Sequence, residues 1–261
     1  MSLVLNVVGL AGIVVMLMQS QGSDRLDYGL PLGAPPSRPN LMAVVATPDL
    51  GPRHQLAYRE WLAILQQEAQ SIAGRAPENL SILAGDSISL WFPPEILPPE
   101  RQWLNQGISG ETSDGLLARL YLFDDTRPDQ IFVMIGINDL IQGVDAAVVL
   151  EQQQAIIQDL KQRHPRAEII VQSILPHAGE QATWEGRDRL LQLPNAVIRD
   201  LNSQIQAIAE QEKVEYLDLY PLFADPSGHL ILHLTTDGLH LSEQGYWVWR
   251  SAIQSYNLHH P

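Results

Sequence analysis

The chain has 261 residues, of which 45% are hydrophobic and 18% are charged, as in an ordinary globular protein. Thirty acidic residues against 16 lysines and arginines give a net charge of −14. This charge argues against nucleic acid as a partner, because polyanion binding draws on clustered cations. The absence of cysteine excludes disulfides, thiolate metal sites and a cysteine nucleophile, so a catalytic nucleophile must be an oxygen or a lysine.

The N-terminal segment differs from the rest of the chain. Residues 3–18 are almost wholly apolar, which is short for a spanning helix of about 20 residues but fits the core of a signal peptide. We interpret residues 1–22 as a signal peptide or membrane anchor and expect an exported or membrane-tethered protein. No basic residue precedes the run and no clear cleavage site follows it, so a buried N-terminal element of the fold is the alternative.

Two regions follow this segment. Residues 23–53 are rich in proline and show little periodicity, which predicts a linker or an irregular wrap over the surface. Residues 54–261 have a regular pattern, and we assign them to one α/β domain. Helical spacing of apolar residues predicts helices over residues 54–73, 112–123, 145–163, 195–211 and 242–256. Short apolar runs predict strands over residues 80–84, 130–135, 168–172 and 214–217.

Continuous apolarity in these runs indicates strands that are buried on both faces, and hence a parallel sheet between layers of helices. The functional site of such a sheet lies beyond the carboxyl ends of its strands. Gly85-Asp86-Ser87 follows the first strand, and Asp237-Gly238-Leu239-His240 lies near the far end of the chain. A strand-end turn that exposes a serine, with a histidine folding back onto it, favours an acyl-transfer hydrolase.

Four segments resemble, in order and spacing, the motif blocks of the SGNH hydrolases, also called GDSL esterases or lipases. They are Gly85-Asp86-Ser87, Asn105-Gln106-Gly107, Gly136-Ile137-Asn138-Asp139 and Asp237-Gly238-Leu239-His240. Residues 105–112 are similar to the platelet-activating factor acetylhydrolase branch of that superfamily. The resemblance covers residues 80–256 and departs at Ile88, where the name-giving motif has leucine. It implies a flavodoxin-like three-layer α/β/α sandwich with a five-stranded parallel sheet.

The resemblance implies a catalytic triad in which Ser87 is the nucleophile, His240 the general base and Asp237 the residue that orients the imidazole. Taken alone, Ser87 would be interpreted as a helix cap and Asp237 as the start of an Asp-Gly turn. Their occurrence together favours catalysis. The oxyanion would be held by the backbone N–H of Ser87, the backbone N–H of Gly107 and the side-chain amide of Asn138.

We expect neither a metal nor an organic cofactor, and the predicted partner is a small-molecule ester. His229, His233 and His240 match no familiar zinc spacing. Asp86 and Asp139 are interpreted as structural residues of the site's loops. Trp184 is interpreted either as a wall of the substrate cleft or as a packing residue.

The predicted activity is hydrolysis of short-chain, acetyl-type esters through an acyl-enzyme. The same scaffold could instead serve an acyltransferase, a lysophospholipase or thioesterase acting on longer chains, or a non-catalytic binding module. A lipase of the α/β-hydrolase fold would need Gly-x-Ser-x-Gly. The nearest candidate for that motif, residues 107–111, lacks the final glycine.

Overall fold

The computed structural model describes residues 56–259, and its centre is a parallel sheet. The strands are β1 (Leu80–Gly85), β2 (Gln102–Gly107), β3 (Gln130–Met134), β4 (Glu168–Gln172) and β5 (Glu215–Leu217). Their order across the sheet is β2-β1-β3-β4-β5, and each neighbouring pair is parallel. The segments 1–22 and 23–53 lie outside the described residues, so their interpretation stays a prediction.

Helices of two sizes connect the strands. They are α1 (Tyr58–Arg75), α2 (Ser87–Leu90), α3 (Ser113–Arg119), α4 (Ile137–Ile141), α5 (Ala146–Arg163), α6 (Arg187–Leu190), α7 (Asn195–Glu212), α8 (Tyr220–Phe223) and α9 (Glu243–His259). Short 3₁₀ helices lie at Pro94–Ile96, Leu120–Phe123, Gly179–Gln181 and Leu232–Leu234. The sheet is flanked by helices and has the flavodoxin-like strand order, which confirms the predicted α/β fold.

The central strands show why continuous apolarity predicted a covered sheet. Every residue of β1 and of β3 is buried, including Ile82 and Phe132, which have no exposed surface. Helices on both faces of a parallel sheet remove its strands from water, so neither face needs polar side chains. The four predicted strands are present within one residue of their predicted bounds.

The fifth strand, β2, could not be recognised from its own residues. It lies at the edge of the sheet and pairs only with β1, from Leu80↔Gln102 to Gly85↔Gly107. Its first residues are exposed or half-buried, and Gln102, Asn105 and Gln106 interrupt any apolar run. Polar residues are tolerated in β2 because it has one neighbouring strand and more contact with water than β1 or β3.

The predicted helices are present with shifted ends. The first begins at Tyr58 and continues to Arg75, where Ala76 ends it in a left-handed conformation. The single helix predicted over residues 112–123 is divided into α3 and the 3₁₀ helix Leu120–Phe123. Among the helices of residues 56–259, none is both long enough and apolar enough to cross a membrane.

Candidate active site

Ser87 lies at the sharp turn between β1 and the one-turn helix α2. Gly85 is required there, since a Cβ atom at this position would come within 2.3 Å of the Met134 carbonyl oxygen. Asp86 is the N-cap of α2, and its Oδ1 accepts the N–H of Ile88 at 2.9 Å. The hydroxyl of Ser87 is therefore not needed as the helix cap.

The three residues of the predicted triad lie in hydrogen-bonded series. The Oγ of Ser87 is 3.1 Å from Nε2 of His240, and Nδ1 of His240 is 2.7 Å from Oδ2 of Asp237. A carboxylate can only accept, so Nδ1 carries the proton, and Nε2 of the neutral ring is left to accept from the serine hydroxyl. The structure thus brings together residues that are 153 positions apart in the chain.

Asp237 is held in its charged form. Partial burial disfavours ionisation, but hydrogen bonds from the ring and backbone of His240 and from the Leu239 N–H outweigh it and lower the pKa of the carboxyl. Oδ1 accepts the N–H groups of Leu239 and His240 at 2.9 and 2.8 Å. The Asp-Gly turn and the catalytic arrangement are therefore compatible, because one oxygen closes the turn while the other faces the imidazole.

A second loop holds the Asp237 turn in place. The N–H groups of Thr183 and Trp184 donate to the Asp237 carbonyl oxygen at 2.7 and 2.9 Å. Gly238 has φ +90, and a Cβ atom there would come within 2.5 Å of Ala182. The indole of Trp184 is partly buried and packs against the hydrophobic core, as the packing interpretation expected.

The predicted oxyanion donors are already engaged within the chain. The N–H of Gly107 donates to Oδ1 of Asn105 at 2.9 Å, and Nδ2 of Asn138 donates to the Glu111 carbonyl oxygen at 3.0 Å. An amide side chain has a second hydrogen to offer, whereas a backbone N–H has only one. The Asn138 side chain therefore keeps a second hydrogen for an oxyanion. The single hydrogen of the Gly107 N–H is already bound, which argues against Gly107 as an oxyanion donor.

Gly110 lies three residues beyond Gly107, where the chain leaves β2. It is exposed, has φ +76, and would leave a Cβ atom with no neighbour within 4 Å. Gly110 directly precedes Glu111, whose carbonyl oxygen accepts a hydrogen bond from the Asn138 side chain. Gly107, by contrast, is buried against the backbone of α2, where a Cβ atom would come within 2.4 Å of the Leu90 nitrogen.

Two further acids lie near these loops. Asp139 accepts the backbone N–H of Ser113 at 3.0 Å and its hydroxyl at 2.6 Å, which ties α4 to the start of α3. Asp86 is fully buried, and burial raises the pKa of its carboxyl to about 7, although the hydrogen bond from Ile88 opposes this rise. Both side chains support the site's loops, in line with the structural role predicted for them.

A buried ion pair lies behind the site and was not recognised in the sequence. Arg119 Nε is 2.7 Å from Oε2 of Glu111, and both side chains are almost completely buried. Arg119 also donates to the Gly85 carbonyl oxygen at 3.1 Å, two residues before Ser87. The hydroxyl of Tyr58, on α1, donates to Glu111 at 3.3 Å. Arg119 lies three residues after the buried Leu116, on the same face of α3, and a charge at that position was the signal available for this contact.

His229 and His233 have surroundings of their own, outside the series that joins Ser87, His240 and Asp237. His229 is exposed and has its Nδ1 3.0 Å from the hydroxyl of Ser227. His233 is also exposed, at the 3₁₀ helix Leu232–Leu234. Within residues 56–259, no group of three or more His, Asp or Glu side chains is arranged to hold a metal ion.

Trp91 is a further neighbour of His240 and was also not recognised in the sequence. Its ring centroid lies 4.1 Å from that of the imidazole, with an angle of 30° between the ring planes. The site thus has four parts at the carboxyl edge of the sheet: a serine, its imidazole and carboxylate partners, amide donors, and an aromatic cover. A hydrogen-bonded series of serine, imidazole and carboxylate is the geometry of a serine hydrolase.

Comparison with known proteins identifies the family. A model of the GDSL-like lipase/acylhydrolase family matches residues 84–248, and the chain belongs to this family, which is part of the SGNH superfamily. It is accordingly a carboxylic ester hydrolase.

Two individual relatives are subunits of platelet-activating factor acetylhydrolases. The human platelet-activating factor acetylhydrolase IB subunit alpha1 is 28% identical over 212 residues, covering 76% of this chain and 83% of that protein. The rat alpha2 subunit is 31% identical over 145 residues, covering 55% and 58%.

Solved structures share the fold. A structure from Streptococcus pneumonia, described as a platelet activating factor, has a TM-score of 0.67 and 28% identity, covering 76% of this chain and 93% of that one. A GDSL-like lipase from Bacteroides thetaiotaomicron has a TM-score of 0.61 at 20% identity, covering 77% and 100%.

Proposed function

We propose that this protein hydrolyses short-chain, acetyl-type esters through an acyl-enzyme on Ser87. The observation that carries the proposal is the series of two hydrogen bonds that joins Ser87 to His240 and His240 to Asp237. Similarity to acetylhydrolase subunits supports the acetyl preference. The small accessible surface of the site supports it too, because Ser87 and His240 are each only 7% exposed.

The first half of the reaction forms the acyl-enzyme. As Oγ of Ser87 attacks the ester carbonyl carbon, its proton passes to Nε2 of His240, and the carboxylate of Asp237 stabilises the imidazolium. The carbonyl oxygen becomes negative and needs donors that are already oriented. The imidazolium then gives its proton to the leaving alkoxide, the C–O bond to the alcohol breaks, and the alcohol departs.

The second half repeats these steps with water. His240 takes a proton from the water molecule, the resulting hydroxide attacks the acyl carbon, and the proton returns to Oγ of Ser87 as the bond to the serine breaks. The products are a carboxylic acid and the free enzyme. Nε2 of His240 therefore accepts a proton and gives it up again in each half of the cycle.

We infer that the oxyanion donors are the N–H of Ser87, the side-chain amide of Asn138 and the N–H of Gly110. Gly110 replaces Gly107 in this set because the single hydrogen of Gly107 is bound by Asn105. The carbonyl oxygen of Glu111, the residue after Gly110, accepts a hydrogen bond from the Asn138 side chain. This bond keeps the Asn138 amide close to Gly110. Each such donor typically accounts for about 10²–10³ in rate.

The nucleophile is tested by removing its hydroxyl. In Ser87→Ala, hydrolysis of p-nitrophenyl acetate should fall by about 10⁴-fold or more, because no acyl-enzyme can form. Ser109→Ala is the matched control, since Ser109 is an exposed serine within residues 107–111, the segment nearest to a Gly-x-Ser-x-Gly motif. Thermal unfolding checks that both variants fold. Full activity of Ser87→Ala, or equal losses in both variants, would contradict the proposal.

The acyl preference is tested with a series of esters. The wild type should have its highest kcat/KM on p-nitrophenyl acetate, with values falling as the acyl chain lengthens to butyrate and octanoate. A panel of acetylated sugars tests which alcohol portion of the ester the enzyme accepts. A maximum at octanoate would overturn the acetyl preference while leaving the serine mechanism intact.

A further inference from the structure

Trp91 and Ser87 belong to the same turn of helix. Ser87 is the first residue of α2 and Trp91 is its C-cap, whose backbone N–H donates to the Ser87 carbonyl oxygen at 3.0 Å. The indole is only partly buried and covers one face of the His240 ring, with the centroids 4.1 Å apart. The nucleophile and the aromatic cover of its base are therefore held by one short helix.

The contact becomes more favourable when His240 is protonated. A cation within about 6 Å of an aromatic centroid is attracted by the negative face of the ring, and tryptophan gives the strongest effect. A tilt of 30° keeps the two ring faces toward each other. The proton transfer from Ser87 creates this cation at the moment of attack, so the indole stabilises the transition state more than the ground state.

We propose that Trp91 is a positioning residue of the ester hydrolysis described above, acting through His240 rather than on the substrate. Its ring would hold the imidazole in line with Ser87 and stabilise the imidazolium that forms during attack. This inference rests on the proposed function, because it requires His240 to be the base.

Other titratable groups also lie near His240. Asp237 faces Nδ1 from its own loop, and the buried carboxyl of Asp86 interacts with His240 from the start of α2. From α9, the buried phenol of Tyr246 interacts with both carboxyls, and burial keeps its pKa well above the usual range, so that it stays neutral. These groups are the same in every Trp91 variant, so a difference between such variants reports on the ring at position 91.

The experiment compares Trp91→Phe with Trp91→Leu. Both side chains are apolar, but only phenylalanine keeps an aromatic face. We expect kcat/KM on p-nitrophenyl acetate to fall about tenfold in Trp91→Leu, through kcat with KM little changed, and to fall at most about threefold in Trp91→Phe. Trp247→Leu, which removes an exposed indole on α9, is the control and should leave activity unchanged.

The pH profile separates an electrostatic role from packing. Without the aromatic face the imidazolium is less stable, so the acid limb of kcat/KM should move to lower pH in Trp91→Leu. A smaller shift in the same direction is expected in Trp91→Phe, because phenylalanine binds cations less strongly than tryptophan. The phenylalanine variant therefore keeps the test valid if the leucine variant does not fold.

Two results would overturn the inference. Equal activities and unshifted pH profiles in all Trp91 variants would show a packing role only, and a change confined to KM that varied with acyl length would place Trp91 against the substrate. The Ser87→Ala result separates the two proposals. If Ser87→Ala is inactive while Trp91→Leu behaves as wild type, the proposed function stands and only the role of Trp91 fails.

Discussion

The two halves of the site are held in different ways. In the nucleophile half, Ser87, His240 and Asp237 contact one another directly through their side chains. In the half where we propose that the oxyanion binds, the Asn138 side chain donates to the Glu111 carbonyl oxygen, and the nearby Gly107 N–H donates to Asn105. The side chains of the first half are therefore in contact before substrate arrives, whereas in the second half the Asn138 side chain also binds within the chain.

This difference has a physical origin. A serine, an imidazole and a carboxylate can satisfy one another, so the folded chain brings them to hydrogen-bond distance without substrate. Amide donors have no such partner among the catalytic groups, and a buried donor without an acceptor is costly. They therefore bind nearby carbonyl or amide oxygens, and only groups with a second hydrogen or an exposed position remain available to an oxyanion.

The largest effect is expected from breaking the nucleophile half at Asp237. In Asp237→Asn, the amide can donate toward Nδ1 of His240 and favours the wrong tautomer, so kcat should fall by about 10⁴-fold with little change in fold. Asp225→Asn, which alters an exposed turn, is the matched control. Steady-state kinetics on p-nitrophenyl acetate measure both, and near-normal activity of Asp237→Asn would exclude Asp237 from the triad.

A smaller loss is expected from the oxyanion half. Asn138→Ala removes one donor, and kcat should fall by about 10²–10³-fold while the nucleophile half stays intact. The control is Asn257→Ala, which removes an amide that binds Gln130 at the start of β3. If Asn138→Ala retained wild-type kcat, its side chain would serve only to hold the Glu111 carbonyl.

A pH-dependent stability effect is expected from Asp86, which directly precedes Ser87. Its pKa is about 7 in the folded protein, above the ordinary value near 3.9. The contribution of this carboxyl to the free energy of unfolding is therefore fully present at low pH. That contribution is lost as pH rises from about 4 to about 7, because the unfolded chain releases the proton first.

Asp86→Asn removes this proton while keeping an oxygen that can accept from Ile88. Between pH 5 and pH 7, the free energy of unfolding should fall by about 2–3 kcal/mol more in the wild type than in the variant. Urea unfolding at the two pH values measures the difference. Parallel pH dependences would show that Asp86 is already ionised in the folded protein.

The smallest effect is expected from releasing Gly107. Asn105→Ala frees the Gly107 N–H, yet kcat/KM should stay within about threefold of wild type if Gly110 is the donor that the oxyanion uses. The companion variant Gly110→Ala places a side chain at φ +76 and should lower kcat clearly. A large rise in activity in Asn105→Ala would instead show that Gly107 is the donor and that Asn105 blocks it.

The sequence predicted the central part of the fold well because that part is encoded locally. Buried parallel strands such as β1 and β3 are continuously apolar, and the turn after each is marked by glycine. The edge strand β2 was missed, because its polar residues resemble a loop. The hydrogen-bond partner of the Gly107 N–H could not be predicted either, since it depends on the conformation of the Asn105 side chain.

By itself, the sequence determined the α/β class, the family, and the presence of Ser87, Asp237 and His240 at the same edge of the sheet. Motif order and strand periodicity can be recognised in the sequence without knowledge of how the segments pack. Only the tertiary structure decided that Glu111 and Arg119 pair behind the site and that Trp91 covers His240. Those contacts depend on how separate segments pack, and no spacing along the chain records the angle and distance at which two rings meet.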